Sequence, residues 1–217
     1  LVPEEWKEQD VLVEFEGVYG ITKVWINGAF AAVNRNGYVE FTVDLRPWIF
    51  YGGENTIRVE VDNSRQPNSR WYTGSGIYRD VNLLIGNDVY IPRNGVRITT
   101  LSASDEIAVV EVCAEVKNII GYGVEAECKF EIRHDGEIVA KELQKVIIQS
   151  DSKETIRVKM PVLNPVKWSV ESPELYQCII QTRIDGRVCD TDSFCFGIRT
   201  LALDPVNGFQ LNGETIN

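Results

Sequence analysis

Paired carboxylates are the first candidates for chemistry, because two acidic side chains held close together can act as general acid and general base. Two sets of glutamates lie close in sequence and alternate with apolar residues: Glu14 with Glu16, and Glu125 with Glu127 and Glu131. Such alternation is typical of a half-buried β-strand. We therefore expect these carboxylates to lie on the solvated faces of sheets, and we predict no catalytic pair in this chain.

Metal binding and thiol chemistry have equally little support. The one histidine, His134, stands in Arg-His-Asp-Gly, which is typical of a turn, and we expect it to be exposed there. Without a Cys-x-x-Cys pair or a histidine cluster, we predict no metal site and no cofactor. An odd number of irregularly spaced cysteines is a poor disulfide framework. We predict free thiols, with Cys128 and Cys178 as small buried residues. The five cysteines are Cys113, Cys128, Cys178, Cys189 and Cys195.

The charge balance narrows the classes of partner. The chain has 22 Lys and Arg residues and 32 Asp and Glu residues, and 22 − 32 gives a net charge of −10. Nucleic-acid phosphates and anionic membranes repel such a protein, so we expect neither as a partner, whereas a neutral sugar is not excluded. No apolar run reaches the roughly 18 residues of a membrane span. The first residues, Leu1–Glu5, lack the pattern of a signal peptide.

Short strands with period-two alternation follow one another through the first half of the chain. Asn27-Gly28 lies between two apolar runs and predicts a tight hairpin turn. No helical stretch of convincing length interrupts the strands, so we predict a β-sandwich. The predicted strands are Val11–Phe15, Ile21–Ile26, Tyr38–Val43, Thr56–Val61 and Asp80–Ile85.

A second series of strands follows the turn-rich segment 86–95. Asp135-Gly136 and Asp185-Gly186 predict two further hairpins. About seven short strands in roughly 110 residues fit an immunoglobulin-like sandwich. The last segment holds a hairpin signal, Leu211–Glu214, which we expect to have little to pack on. The strands predicted in this half are Val96–Leu101, Ile107–Val116, Val124–Arg133, Ile138–Gln149, Thr155–Met160, Leu175–Ile184 and Arg187–Arg199.

Four passages, taken in order, resemble family 2 of the glycoside hydrolases. They are Phe15-Glu-Gly-Val18 with Val24-Trp-Ile-Asn-Gly28; Gly37-Tyr-Val-Glu-Phe-Thr-Val-Asp-Leu45 with Gly53-Glu-Asn-Thr-Ile-Arg-Val-Glu-Val-Asp-Asn63; Ser69-Arg-Trp-Tyr-Thr-Gly-Ser-Gly-Ile-Tyr-Arg-Asp-Val81; and Phe196-Gly-Ile-Arg199 with Gly208-Phe-Gln-Leu-Asn-Gly-Glu214. The Asn-Gly turns are weak signals individually. The passage from Ser69 to Val81 is specific, and the ordered set spans nearly the whole chain.

The resemblance implies three parts. Residues 1–88 would be a partial jelly-roll, galactose-binding-like domain, residues 89–203 an immunoglobulin-like β-sandwich, and residues 204–217 the start of a TIM barrel that is otherwise absent. Such a barrel needs on the order of 250 residues, and retaining glycoside hydrolysis needs two carboxyl groups about 5 Å apart. We therefore expect a non-catalytic N-terminal fragment of a β-galactosidase-like enzyme, inactive alone. The family has further strands before the segment resembling Leu1–Asp10, so we expect an incomplete first sandwich.

Arg70 and Trp71 are the residues that the resemblance places nearest to substrate. In several relatives the matching loop contributes to the subsite for the terminal sugar. The face of Trp71 suits the apolar C–H face of galactose, and the fork of Arg70 can donate hydrogen bonds to hydroxyls. The alternative is that Trp71 belongs to the core and Arg70 is paired on the surface. We interpret Gly74–Arg79 as scaffold, in which Arg79 makes a buried ion pair or hydrogen bonds.

The function therefore has one leading hypothesis and one alternative. The leading hypothesis is a parent enzyme that hydrolyses terminal β-galactosides, although the family also includes β-glucuronidases and β-mannosidases. The alternative is a stand-alone carbohydrate-binding or adhesion module. Such a module should bind sugar unaided, whereas half an active site should bind weakly or not at all. The expected partners are a carbohydrate and the chain's own barrel, with a homo-oligomer possible. The compartment, cytoplasmic or periplasmic and secreted, stays open.

Overall fold

β-Strands make up nearly all the regular structure of the protein. The structure, a computed structural model, describes residues 1–65 and 74–216. It divides into two compact units, Leu1–Asn87 and Asp88–Asn217. The one helix in the described ranges is a 3-10 helix at Glu4–Glu8. No helix of these ranges has the length and apolar character needed to span a membrane. The prediction of an all-β chain with two β-sandwiches is confirmed.

The first unit contains two three-stranded antiparallel sheets and one short strand pair. Its strands are β1 (Asp10–Phe15), β2 (Val18–Tyr19), β3 (Ile21–Ile26), β4 (Ala29–Asn34), β5 (Phe41–Asp44), β6 (Ile57–Asp62), β7 (Gly76–Ile77) and β8 (Val81–Gly86). The sheets have the orders β5-β1-β8 and β4-β3-β6, and β2 pairs with β7. Successive side chains of a strand point to opposite faces, so Val11, Val13 and Phe15 of β1 share one core with Val24 and Ile26 of β3.

Asn27 does more in this unit than occupy the predicted hairpin turn. Asn27 and Gly28 have φ values of 50° and 85°, the left-handed geometry that a two-residue hairpin requires. The Asn27 amide also donates to the Trp48 carbonyl oxygen at 2.9 Å and to Asn55 Oδ1 at 2.7 Å. Its Oδ1 accepts the Thr56 N–H at 2.9 Å. The turn residue thus connects β3 to two later segments of the chain.

The second unit is a sandwich of longer strands. Its strands are β9 (Val89–Tyr90), β10 (Val96–Ala103), β11 (Ile107–Asn118), β12 (Val124–His134), β13 (Glu137–Ile148), β14 (Ser152–Leu163), β15 (Tyr176–Ile184), β16 (Arg187–Phe196), β17 (Leu201–Asp204), β18 (Gly208–Leu211) and β19 (Glu214–Thr215). The two main sheets have the orders β10-β11-β14 and β13-β12-β15-β16, and β9 pairs with β11. A third sheet has the order β17-β18-β19.

The core of this second sandwich follows the alternation in the sequence. Every second residue of β11, from Ala108 to Asn118, is buried. On β12 the buried hydrophobic residues are Val124, Ala126, Cys128, Phe130 and Ile132. These residues share one face of the strand predicted over Val124–Arg133, as alternation requires. Cys128 and Cys178 are buried as expected, and all five cysteines are free.

The hairpins predicted in the second half are present. Asp135 and Gly136 have φ values of 50° and 84°, and Asp185 and Gly186 have 49° and 80°. The hairpin at Leu211–Glu214 also forms, but the expectation that it has little to pack on is wrong. Leu211 is buried, and Asn212 donates to the Trp168 carbonyl oxygen and accepts the Thr200 N–H.

Two glutamates expected on solvated faces are buried instead. Glu14 is 1% exposed and Glu131 is 5% exposed. Glu14 lies on the central strand of its sheet, where its carboxylate accepts a hydrogen bond from Asn82 at 3.1 Å. Glu131 contacts Lys129 and Arg133, which lie two residues away on the same face. Alternation located the faces correctly, but it does not report which polar partners cover a carboxylate on that face.

The expectations for His134 and Arg79 are also wrong. The two-residue turn at Asp135-Gly136 leaves His134 as the last residue of β12, so its ring stacks on Tyr176 with centroids 4.5 Å apart. The His134 side chain is only 17% exposed. Arg79, expected in a buried ion pair or hydrogen bonds, is exposed between β7 and β8, and its described contact is with the Tyr78 ring at 5.4 Å.

Candidate functional site

The two residues predicted to touch substrate, Arg70 and Trp71, lie outside the residues that the structure describes. Their roles therefore stay predictions. The described chain stops at Arg65 and resumes at Gly74, both in the first unit. The candidate site can be built from these two ends and from what lies next to them.

The two ends are tied together by side-chain and backbone contacts. The Asn63 amide donates to Ser75 Oγ at 2.8 Å. Directly after Ser75, β7 pairs with β2, which places Tyr19 opposite Gly76. Gly76 has a φ of 99°, a conformation that side-chain-bearing residues rarely adopt, so a glycine is required there. The two described ends, near Arg65 and Gly76, therefore lie beside Tyr19.

A rigid turn at residues 34–38 lies next to this point. The Asn34 amide donates to the Asn36 carbonyl oxygen at 2.9 Å, and Asn34 Oδ1 accepts the Asn36 N–H at 3.2 Å. Asn36 Oδ1 in turn accepts the Tyr38 N–H at 3.0 Å. The Tyr78 hydroxyl donates to the Gly37 carbonyl oxygen at 2.8 Å. Because local side-chain bonds shape this stretch, strand β5 begins at Phe41 and not at Tyr38 as predicted.

The turn is packed against Tyr19. A Cβ on Gly37 would lie 2.6 Å from Tyr19 Cδ2, so only glycine allows this approach. The rings of Tyr19 and Tyr38 meet edge to face, with centroids 5.3 Å apart. Tyr38 as a whole residue nevertheless has a relative exposure of 55%. The two tyrosines thus form a pair in which Tyr38 is the more exposed member. The hydrogen bonds at Asn36 and Gly37 fix the backbone on either side of it.

A cavity of about 350 Å³ opens beside this tyrosine pair. Such a volume lies at the lower end of the range of about 300–1,000 Å³ that is typical of small-molecule sites. Its lining includes Tyr19 and Tyr38 together with the charged side chains Arg35, Asp62 and Arg65. We name it the Tyr19–Tyr38 cavity.

The carboxylate in this cavity is held in its ionised form. Asp62 Oδ1 accepts the Ser64 N–H at 2.9 Å. Hydrogen bonds from the Ser64 side chain and backbone lower the pKa of Asp62, and the charges of Lys23 and Arg65 act in the same direction. The cavity therefore offers cationic hydrogen-bond donors, a carboxylate acceptor and aromatic surface. A small molecule with a polar ring could contact all three.

Sequence reasoning did not identify this cavity. Arg35 and Arg65 lie in none of the four passages that resemble the family, and Tyr38 was predicted only as the start of a strand. The available signal was Asn34-Arg-Asn-Gly-Tyr38, in which two asparagines and a glycine predict a tight turn that presents the residues beside them. Which other segments lie against that turn is decided by the pairing of β2 with β7.

Two carboxylates and two thiols outside the cavity have structural roles. The Asn82 amide donates to both Glu14 Oε2 and Glu16 Oε1, each at 3.1 Å, and so bridges the two carboxylates. Burial raises the pKa of the Cys128 and Cys178 thiols to about 12, so both stay protonated and unreactive at neutral pH. These groups support the fold.

Comparison with known proteins places both units in one group of enzymes. The family model "Glycosyl hydrolases family 2, sugar binding domain" matches residues 1–86, and the model "Glycosyl hydrolases family 2" matches residues 89–199. A putative β-glucuronidase of Formosa agariphila is 34% identical over 94% of this chain and 19% of its own length. The β-galactosidase BoGH2A of Bacteroides ovatus is 32% identical over 93% of the chain and 24% of its own length.

A solved structure gives the same result in three dimensions. The crystal structure of a glycosyl hydrolase family 2 member from Bacteroides cellulosilyticus superimposes with a TM-score of 0.92 at 33% identity, covering 98% of this chain and 29% of that one. The chain thus spans about a fifth to under a third of the length of these three proteins. The first two proteins differ in the sugar of their names, and the name of the third gives none.

Proposed function

The chain belongs to glycosyl hydrolase family 2, and on that premise we propose that it is the non-catalytic N-terminal part of a longer enzyme that hydrolyses terminal β-glycosides. The observation that carries this proposal is the ordered pair of family matches on two β-sandwich units. For the sugar we propose a β-galactoside, because the passage Ser69–Val81 resembles the galactosidase branch of the family. The relatives include both a β-galactosidase and a putative β-glucuronidase, so the sugar needs a direct test.

Catalysis itself is proposed to lie outside this chain. A retaining mechanism needs a carboxylic acid and a nucleophilic carboxylate about 5 Å apart on either side of the bond to be cleaved. Two described candidates, Glu14 and Glu16, are both bound to Asn82 within a sheet. We propose that the two catalytic carboxylates lie in a barrel that residues 204–217 begin, and that the chain alone does not turn over substrate.

Arg70 and Trp71 are proposed to contribute to the subsite for the terminal sugar. The indole face of Trp71 would cover the C–H face of the ring, and the guanidinium of Arg70 would donate to its hydroxyls. Two described features support this proposal. Asn63 and Ser75 tie together the two ends of the segment that contains both residues, and the Tyr19–Tyr38 cavity opens beside those ends.

The test is a turnover assay on the longer protein that contains this chain and the proposed barrel. The substrates are a chromogenic β-galactoside, β-glucuronide and β-mannoside, with the 217-residue chain alone as the control. Turnover of the β-galactoside by the longer protein and none by the control is the expected result. A folded longer protein that is inert on all three would contradict the hydrolase proposal and favour a stand-alone carbohydrate-binding module.

The roles of the two loop residues are tested in the same longer protein. Trp71→Ala is expected to lower kcat/KM about tenfold or more, because one lost sugar contact corresponds to about 1.4 kcal/mol or more. Trp25→Ala is the matched control, since Trp25 is an aromatic residue of the same unit that lies under the Arg58 guanidinium and meets Phe30 edge to face. Equal loss of kcat/KM in both variants would contradict a substrate contact by Trp71.

A further inference from the structure

We propose that Asn207 is a site of spontaneous chemical modification, at which the folded chain converts asparagine to aspartate and isoaspartate. In an Asn-Gly pair the backbone nitrogen of the glycine can attack the side-chain amide carbon of the asparagine, because glycine has no side chain that obstructs the approach. A C–N bond forms, and the amide nitrogen leaves as ammonia with the proton of the glycine nitrogen. Water then opens the resulting succinimide at either of its two C–N bonds. The proposal concerns the chain's own atoms, so it goes beyond the proposed function and does not depend on it.

The reacting dipeptide occurs five times, and all five copies lie in the described ranges. They are Asn27-Gly28, Asn36-Gly37, Asn94-Gly95, Asn207-Gly208 and Asn212-Gly213. Because the two reacting residues are the same in each copy, the folded structure around them decides which copy reacts first. The ring closes only after the asparagine side chain and the next backbone nitrogen reorient, so hydrogen bonds that hold either of them slow the reaction.

In two copies the asparagine side chain is held by segments that lie far away in the sequence. The Asn27 side chain donates to the Trp48 carbonyl oxygen and accepts a backbone N–H, each at 2.9 Å. The Asn212 side chain donates to the Trp168 carbonyl oxygen at 2.9 Å and accepts the Thr200 N–H at 3.0 Å. Reaction at either copy therefore requires these distant contacts to break first.

In two further copies the turn itself is locked. The side chain of the pair Asn36-Gly37 accepts the Tyr38 N–H at 3.0 Å, and a Cβ on its glycine would lie 2.6 Å from the Tyr19 ring. In Asn94-Gly95 the attacking nitrogen is itself engaged, since it donates to the Pro92 carbonyl oxygen at 2.8 Å. Tight packing or a bonded nucleophile thus protects both copies.

Asn207 differs because its restraint comes from its own turn, between β17 and β18. Its backbone N–H donates to Asp204 Oδ1 at 2.6 Å, and its side chain bonds to the same carboxylate. The neighbouring Val206 is 89% exposed, and a Cβ added at Gly208 would meet nothing within 4 Å. Exposed loop tips open at low free-energy cost. Opening this turn costs local bonds to Asp204, whereas Asn27 and Asn212 must also release distant segments.

Both products disturb the hairpin in which they form. Hydrogen bonds from the backbone of Asn207 and then of Val206 lower the pKa of Asp204, so this carboxylate is ionised at neutral pH. A carboxylate at position 207 adds a second negative charge beside it. Isoaspartate in addition inserts a carbon atom into the backbone next to the point at which Asp204 pairs with Gly208. The modification is therefore expected to weaken the pairing of β17 with β18.

The experiment incubates the folded 217-residue chain at mildly alkaline pH and follows the five asparagines by peptide mapping and mass spectrometry. We expect Asn207 to convert at least about tenfold faster than the other four, a ratio that corresponds to about 1.4 kcal/mol. The preference should disappear when the chain is unfolded in urea. Conversion of Asn207 no faster than that of Asn27 in the folded chain, or a tenfold preference that persists in urea, would overturn the proposal.

Variants separate the site from its consequence. Asn207→Gln should remove the early mass gain of the folded chain, because attack on glutamine has to close a larger ring. Asn36→Gln is the matched control and should retain that gain, and loss of the gain in this control would place the site elsewhere. Asn207→Asp carries the new charge without the extra backbone carbon. Amide hydrogen exchange in β17 and β18 should therefore be faster in the purified isoaspartate form than in Asn207→Asp, and equal exchange would contradict the effect on strand pairing.

Discussion

At the residue scale, Glu131 shows how a carboxylate on the outer face of a sheet becomes a buried ion pair. It contacts Lys129, and Arg133 Nη2 lies 2.7 Å from Glu131 Oε2. Hydrogen bonds from Lys129 and then from Arg133 lower the pKa of Glu131, against the opposing effect of its burial. The folded protein therefore prefers the ionised carboxylate more strongly than the unfolded chain does.

The sign of the pH dependence follows from this lowered pKa. A glutamate in the unfolded chain has a pKa of about 4.3. Above that value both states are ionised and the stabilisation is fully present, whereas it is lost as the pH falls through the lower pKa of the folded state. Glu131→Gln should destabilise the chain by roughly 1–3 kcal/mol at pH 7. It should also reduce the loss of stability on acidification from pH 6 to pH 3, as measured by urea unfolding.

The control for this prediction is Glu125→Gln on the same strand. Glu125 pairs with Lys145 at 2.8 Å, but both side chains are exposed, so this pair should contribute little. Parallel pH profiles for the wild type and Glu131→Gln would show that Glu131 is not the group that titrates.

At the element scale, the third sheet of the second unit is held by one tryptophan. The backbone N–H of Trp168 donates to the Ile198 carbonyl oxygen at 2.9 Å. The backbone carbonyl oxygen of Trp168 accepts from the side-chain amide of Asn212 at 2.9 Å. The Arg199 guanidinium lies 4.5 Å from the centroid of the indole. Trp168 thus connects the segment after β16 to the hairpin between β18 and β19.

Gly197 is the position at which this arrangement can be tested. A Cβ at residue 197 would lie 2.8 Å from both Cβ and Cγ of Trp168, so Gly197→Ala must displace Trp168 from its Cβ outward and with it the adjoining backbone. Overpacking of this kind costs about 1–3 kcal/mol. We expect faster amide hydrogen exchange across β17, β18 and β19 in Gly197→Ala than in the wild type, because the hydrogen bond from Asn212 is lost with the shift.

Gly121→Ala is the matched substitution, since a Cβ there meets nothing within 4 Å. It should leave exchange in the third sheet unchanged. If Gly197→Ala exchanged at the wild-type rate in β17–β19, the position of Trp168 would not be what stabilises this sheet.

At the scale of the whole molecule, each unit has a hydrophobic core of its own. The buried core of the second unit runs from Val89 to Ile198 and contains no residue of the first. The buried core of the first unit runs from Val2 to Ile49. A domain with a complete core of its own can fold alone.

We therefore expect residues 88–217, produced without the first unit, to unfold in a single cooperative transition. For these 130 residues the unfolding enthalpy near 60 °C should be about 90 kcal/mol, from about 0.7 kcal/mol per residue. Scanning calorimetry measures this enthalpy.

Val112→Asp, which places a charge in the core, should abolish the transition, whereas Thr99→Asp on the outer face should retain it. A broad, non-cooperative trace from the unsubstituted fragment would show that its core is insufficient.

How much the sequence predicted depends on the range of the interactions involved. The hairpin turns were predictable because Asn-Gly and Asp-Gly pairs favour positive φ without help from distant residues. The buried face of β12 was predictable because alternation acts between near neighbours. The strand predicted from Tyr38 failed at its start, where hydrogen bonds from Asn34 and Asn36 outweigh the alternation.

The sequence by itself determined the all-β class, the positions of most strands and the resemblance to a family, since all three depend on local pattern and residue order. Only the tertiary structure decided that Glu14 and Glu131 are buried, that His134 stacks on Tyr176, and that Arg79 is exposed. It also brought Arg35 and Arg65, thirty positions apart, to one cavity. The physical reason is that burial and charge pairing depend on which strands become neighbours, and that choice is made by the packing of the whole unit.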